Sequence, residues 1–421
     1  MKAKESYIGF PPLSDVDRIV EALVHDPPDV RWRVVRDLFR IDDPKAVEEL
    51  VSRLHPHLSE IEDFRVRFRI TIALQALLHT SRTEGYTLVK ARGALSETDL
   101  EAYLGGNPEP ALSGNHFTPV VDFHIHPKIP DLRFFVDLRQ AGVTHAVILA
   151  TDTDPSDPDR PDIREDLRKA YAGCVQSHRV PFEKILGQIR SSLYSPTHVT
   201  NQDVADWERD YPGILHGFGS VNLSKDKNYV EEKLEEIDRL KLRGIKLLPN
   251  SQFFNPSENE NVQLLFDYCR QSGSIVLSHT GCGAGPFEIL ELSQNAHPAL
   301  WEPVLRKYPE VPLVLAHCGS YSSFIPGIWL YEALQVGKKF RNVYADLAAV
   351  EWILDREMVV KEIRKTIGFD RILFGTDYPL PLTAGVSLAY LVSGIRANIL
   401  LTEKEKRKIL GENAAQLLGM G

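Results

Sequence analysis

The chain has 421 residues, 43% hydrophobic and 25% charged, with a net charge of −9, an ordinary composition for a globular protein of two or three domains or one large barrel with an addition. The acidic balance argues against nucleic acid or an anionic membrane surface as partners, and no uncharged apolar run reaches the ~18 residues of a membrane span. Met1-Lys2-Ala3-Lys4 leads to Pro11-Pro12 rather than to an apolar signal core, and Cys174, Cys269, Cys282 and Cys318 lack framework spacing, so a reduced, cytoplasmic setting is expected.

Residues 1–110 read as a helical domain. Asp29-Val30-Arg31-Trp32-Arg33 recurs as Asp63-Phe64-Arg65-Val66-Arg67, and each is followed by apolar positions at helical spacing: Val34, Val35 and Leu38, then Phe68, Ile72 and Leu77. Ala46, Val47, Leu50 and Leu54 form the face of a partner helix. The segment resembles HEAT-like helical repeats, whose units each leave apolar surface for a neighbour to cover. A domain of this kind is expected to contact another subunit or protein, or to shape access to the C-terminal domain. Gly105-Gly106-Asn107-Pro108-Glu109-Pro110 and Ser113-Gly114-Asn115 mark a linker.

From residue 118 to 421 the texture changes. Short apolar strands are predicted at Val120–His126, Thr144–Ala150, Leu215–Val221, Gly244–Leu248, Ile275–His279, Leu313–His317, Val343–Asp346 and Ile372–Asp377. Helical patterns such as Val230–Leu242, Val262–Ser272 and Met358–Ile367 lie between them. This alternation predicts an α/β fold, a (β/α)8 TIM barrel preceded by the small all-α domain. The stretch 151–213 is too long for one crossover and is expected to hold an inserted helix, Asp162–Arg179, and the helix Asn201–Tyr211.

A barrel builds its site at the C-terminal ends of its strands. His124, His126, His279, His317 and Asp377 fall at such ends, and Lys246 falls near one. The pair His55-Pro56-His57 is a decoy, because its proline excludes a strand centre. Parity places Asp122, His124 and His126 on one face, Leu313, Leu315 and His317 on another, and Leu373, Gly375 and Asp377 on a third, so each site residue extends an expected interior column. Imidazoles and a carboxylate suit one divalent metal, with zinc the first choice and manganese or iron the alternatives. His124, His126, His279 and Asp377 would be the ligands, and a bound metal brings the pKa of its water to roughly 7. Asp377 or His317 would then take or deliver the proton. Taken singly, His279 also reads as a satisfied strand histidine, Asp377 as a turn cap and Lys246 as a strand lysine reaching for solvent.

Asp122-Phe123-His124-Ile125-His126, Gly217-Phe218-Gly219-Ser220-Val221, Gly244-Ile245-Lys246-Leu247, Ser278-His279-Thr280-Gly281, Ala316-His317-Cys318-Gly319 and Phe374-Gly375-Thr376-Asp377-Tyr378-Pro379 succeed one another in order. The chain from Val120 to Leu418 thereby resembles the amidohydrolase superfamily, in particular its amidohydrolase-related group of metal-dependent hydrolases and decarboxylases. The resemblance implies the four metal ligands above, a substrate-positioning or proton-transfer role for His317, and Asp377 as the acceptor of the proton from metal-bound water. It also implies homo-oligomers. Lys246 would bridge two metals if carbamylated; the preferred reading is one metal, with Lys246 a cation near the substrate. The leading expectation is a hydrolase acting on an amide, ester or lactone of a small molecule. The alternative is a nonoxidative decarboxylase of an aromatic or unsaturated carboxylic acid, and a ligand-sensing or interaction protein comes third. Cys282 and Cys318 are expected to line the pocket. Phe253, Phe254, Tyr321, Phe324, Trp352 and Tyr378 are candidates to roof it, and Arg190 and Lys128 to pair with a substrate carboxylate.

Overall fold

The structure is a computed structural model that describes residues 119–126, 132–174, 177, 179–193, 199–283, 285–322, 325, 327–380 and 387–420. The helical repeats read over 1–110, Lys128 and Phe324 lie outside the described residues. Eight strands form one parallel sheet in chain order. They are β1 (Val120–Ile125), β2 (Val143–Leu149), β3 (Leu215–Ser220), β4 (Gly244–Leu247), β5 (Ile275–Gly281), β6 (Leu313–Tyr321), β7 (Val343–Asp346) and β8 (Ile372–Leu373). The last edge meets the first: Phe123 N donates to Phe374 O at 2.9 Å, Asp377 N to His124 O at 2.8 Å and His126 N to Tyr378 O at 2.8 Å. The expected (β/α)8 barrel is the fold observed.

Local chemistry sets the element ends. The Asp226 side chain caps the helix Lys227–Arg239 by accepting from Tyr229 N, and Val230, Leu234 and Ile237 bury one stripe at helical spacing. That helix ends earlier than its apolar pattern because Lys241 turns left-handed at φ 58. The helix expected over Asp162–Arg179 ends early, as Pro161–Ala172, and a second helix that was not expected, Phe182–Leu193, follows it. Gly173 ends the first and Pro181 precedes the second, so the turn chemistry overrode a continuous amphipathic pattern. β8 stops at Leu373, not Asp377, because Phe374 N turns to Ile409 O at 2.9 Å.

Apolar residues separate into two layers. Val121, Phe123, Val147, Leu149, Phe218, Ile275, Leu277, Val314, Ala316 and Leu373 fill the barrel, with Ala414 of the last helix and Leu418 just after it among them. Ala146, Ile148, Ile245, Leu247, Val276, Leu313, Leu315, Ala345 and Ile372 join the helices in the outer layer. Burying a ring such as Phe218, fully enclosed, stabilises the fold by about 2–3 kcal/mol. It meets Phe123 edge-on at 5.6 Å, and a Cβ at Gly244 would overlap its ring. A smaller cluster joins the two inserted helices to Phe287 and Leu292 of the β5–β6 connection. Among the described residues no helix is long and apolar enough to cross a membrane.

The two layers correct the parity argument at β1 and β6. Leu313 and Leu315 face the helices, and Val314 and Ala316 fill the barrel, so strict alternation would send His317 outward. It is turned inward by a left-handed backbone, φ 60. On β1, Val121 and Phe123 are interior and Ile125 is exterior, because pairing with β2 slips between Asp122 and Ile125. That irregularity brings His124 into the barrel directly after Phe123.

Candidate metal centre

At the C-terminal face, the strand ends converge on His124. Its Nδ1 lies 2.9 Å from Asp346 Oδ2, both side chains being fully buried. A carboxylate there accepts, so Nδ1 carries the proton and Nε2 presents a lone pair. Around that Nε2 stand His126 Nε2 at 3.2 Å, Lys246 Nζ at 3.1 Å and Asp377 Oδ1 at 3.6 Å. Asp377 Oδ1 is also 3.9 Å from His126 Nε2. His317 packs its ring 4.8 Å from that of His124, and His279 lies 4.9 Å from His317, centroid to centroid. All six residues singled out from the sequence therefore meet in one chamber.

The electrostatics explain their protonation. Burial first, then the Lys246 charge, holds His124 and His126 well below the ordinary imidazole range. Burial likewise brings His279 down to about 3 and His317 well below its usual value. Four neutral imidazoles can offer lone pairs at neutral pH. His317 Nδ1 is 2.7 Å from Ala348 O, so this nitrogen donates and its Nε2 is an acceptor. Burial lowers Lys246 and raises Asp377, each partly offset by the opposite charges nearby.

The donor set fits a divalent cation. Two ring nitrogens 3.2 Å apart, at least one of them unprotonated, share a carboxylate oxygen, and the three ligand atoms all lie within 4.8 Å of one another. His279 Nε2 is buried with no hydrogen-bond partner. A buried nitrogen without a partner, on a ring packed beside this cluster, is what a ligand position leaves behind.

Asp346 was not among the residues selected from the sequence, yet it organises the centre. Besides His124, its Oδ1 accepts from His317 N at 2.7 Å and Ala348 N at 3.0 Å. It ends the predicted seventh strand, so the rule that selected its neighbours would have found it. A second carboxylate, Asp122, is fully buried, takes Thr376 Oγ1 at 2.6 Å and Thr376 N at 3.0 Å, and fixes the turn that leads to Asp377.

Other candidates separate cleanly. Burial raises the thiols of Cys282 and Cys318, the latter to about 12, so neither offers a thiolate at neutral pH. Arg190 donates through Nε to Asp159 at 2.9 Å on the inserted helices and is not gathered into the centre. Phe254, Trp352 and Tyr378 pack in the layer between sheet and helices, and Phe253 packs beside Phe287 at 6.2 Å. Tyr321 packs at a tilt against His317, centroids 4.7 Å apart, and edge-on against His279 at 5.7 Å.

The chain is similar to several known proteins. A protein described as 2-amino-3-carboxymuconate-6-semialdehyde decarboxylase, from Dictyostelium discoideum, is 23% identical over 255 residues, 52% of this chain and 65% of that protein. The match thus spans slightly under two thirds of the relative's length. An uncharacterised TIM-barrel protein from Bordetella bronchiseptica superposes with a TM-score of 0.50 at 19% identity, covering 72% of this chain and 98% of that one. A 5-carboxyvanillate decarboxylase from Sphingomonas paucimobilis gives 0.47 at 14% identity, over 72% and 99%. The Amidohydrolase family model matches residues 121–420, from the first barrel strand to the last helix, and the chain belongs to that family.

Proposed function

We propose that the chain is a metal-dependent, nonoxidative decarboxylase of an aromatic or unsaturated carboxylic acid, the reading that stood second to hydrolysis on sequence alone. The observation that carries it is Lys246. This lysine is fully buried, and its ammonium hydrogen-bonds His124 Nε2, the nitrogen a cation would claim. With that nitrogen engaged, the ammonium turns to another acceptor in the chamber, and a substrate carboxylate offers it an opposite charge that the carbonyl of a neutral amide or lactone does not. The relative described as a decarboxylase supports the same choice.

In this reading His124, His126, His279 and Asp377 hold one divalent metal, zinc or manganese by donor type. When bound, the metal supplies a Lewis acid for the oxygens of the substrate. Lys246 Nζ binds the carboxylate and orients it. Breaking the bond between ring or alkene carbon and carboxylate releases carbon dioxide and leaves the electron pair on carbon. A proton must arrive there, and Asp377, whose Oδ1 lies 3.6 Å from His124 Nε2 at the heart of the centre, is the carboxyl placed to deliver it. His317 Nε2 accepts a hydrogen bond from the substrate. Fully buried Asp346 keeps His124 in the tautomer that leaves its Nε2 free.

The test is a panel of aromatic and unsaturated acids, esters and lactones followed for carbon dioxide and, in oxygen-18 water, for label entering product. Carbon dioxide release without label in the organic product is expected. Lys246→Met should raise KM for the acid at least tenfold with metal content unchanged. Label in a product formed without carbon dioxide would return the function to hydrolysis.

A further inference from the structure

Among the aromatic residues at the strand ends, Tyr321 is placed differently from the rest. Its ring packs on His317 and His279, with centroids 4.7 and 5.7 Å away. Its main chain is fixed: it closes β6, and its carbonyl accepts from Cys282 N at 2.6 Å. Gly281, at φ 111, lies so close that a Cβ there would fall 2.6 Å from Tyr321 O. The residue is 7% exposed, and among the described residues its hydroxyl has no hydrogen-bond partner. A phenol held this firmly normally finds an acceptor, and one left without it loses a hydrogen bond's contribution. The acceptor is therefore expected from whatever enters the chamber.

We propose that the Tyr321 hydroxyl is a specificity group, donating a hydrogen bond to an oxygen substituent that neighbours the carboxylate of the substrate. The site then selects hydroxy- or oxo-substituted unsaturated acids over their unsubstituted counterparts. The proposal rests on the carboxylic-acid reading above, and its test separates the two because it needs binding and not turnover.

The probes are benzoate and 2-hydroxybenzoate, titrated calorimetrically into zinc-loaded native protein and into Tyr321→Phe. The substitution keeps the ring on both histidines and removes only the donor. Metal content and melting temperature are measured alongside. Native protein is expected to prefer 2-hydroxybenzoate, and the preference should shrink at least tenfold in the variant while benzoate affinity stays within threefold. Chelation by the ortho hydroxyl acts equally in both proteins, so the change in the ratio isolates the tyrosine. An unchanged ratio, or equal losses for the two acids, would overturn the proposal and leave the carboxylate reading standing. Failure of both acids to bind native protein would overturn the carboxylate reading and the proposal with it.

Discussion

Replacing Asp346 by asparagine tests whether the centre is built as described. Three donors converge on this carboxylate: His317 N and Ala348 N on Oδ1, at 2.7 and 3.0 Å, and His124 Nδ1 on Oδ2, at 2.9 Å. An asparagine whose oxygen takes the Oδ1 place keeps both amide bonds, but its NH2 then faces His124 Nδ1. Two donors cannot share that contact, so His124 must move its proton to Nε2 and withdraw the lone pair from the cation. Losing a carboxylate behind a ligating histidine costs about 10–100-fold in metal affinity, or about 1.4–2.8 kcal/mol. The metal-free fold should lose only about 1 kcal/mol, since both main-chain amides keep their acceptor and the contact forfeited is the one between Lys246 and His124 Nε2. Asp346→Ala should cost both: two buried amides left unpaired remove about 2–6 kcal/mol of stability besides. Competition with a chromophoric chelator at pH 7.5 reads the affinity, and urea unfolding of metal-free protein reads the stability. An Asp346→Asn variant that holds metal within threefold of native would refute the tautomer argument.

Two further outcomes come from the packing. Gly411 lies against the start of β1, where a Cβ would overlap Pro119 O, so Gly411→Ala must push main chain against main chain. It should lose about 3 kcal/mol, seen as a lower urea midpoint, and an unshifted midpoint would show that β1 can move at no cost. At the opposite end from the metal centre, His216 on β3 is 4% exposed and its Nε2 lies 3.3 Å from His145 Nδ1. Burial, aided by Arg243 and His145, brings His216 down to about 4 from 6.5. A base lowered on folding binds fewer protons than the unfolded chain between those values, so its contribution is intact above pH 6.5 and is lost as pH falls toward 4. Relative to His216→Gln, the native protein should lose about 2 kcal/mol on going from pH 7 to pH 5, by urea unfolding. Parallel losses in the two proteins would remove His216 as the cause.

Much of the barrel was legible because its strands carry their own signal: apolar runs bounded by turn residues, separated by stripes at helical spacing. Lys246 and His279 were legible for a further reason. On β5, Ile275 and Leu277 fill the barrel and His279 continues their face; on β4, Ile245 and Leu247 face the helices and Lys246 lies between them. Asp346 obeys the same alternation and went unselected only because an aspartate ending one short strand has no partner in the linear order. The first inserted helix is legible but its end is not, since a glycine such as Gly173 inside a helical pattern is read as tolerated until its geometry is seen, and the second, Phe182–Leu193, has no counterpart in the sequence reading. Arg190 was misplaced for the opposite reason: a lone arginine has no period, and its partner Asp159 lies in a neighbouring turn.

His317 reaches the centre against the alternation of its own strand, and the reason bears on how such a centre is made. Strand alternation pointed His317 outward, and the sequence contains no residue there that announces a left-handed turn. Yet His317 and Asp377 adopt φ 60 and φ 61, conformations costing a non-glycine residue of order 1–3 kcal/mol each. Glycine would relieve both, but has neither imidazole nor carboxylate. Each strained residue has its amide tied to the centre itself: His317 N to Asp346 Oδ1 and Asp377 N to His124 O. The groups that fix the tautomer of His124 and close the barrel are therefore the same ones that hold the strain. Loosening either amide should release its side chain from the cluster before the barrel unfolds, so metal affinity, not global stability, is where damage to this ring of bonds appears first.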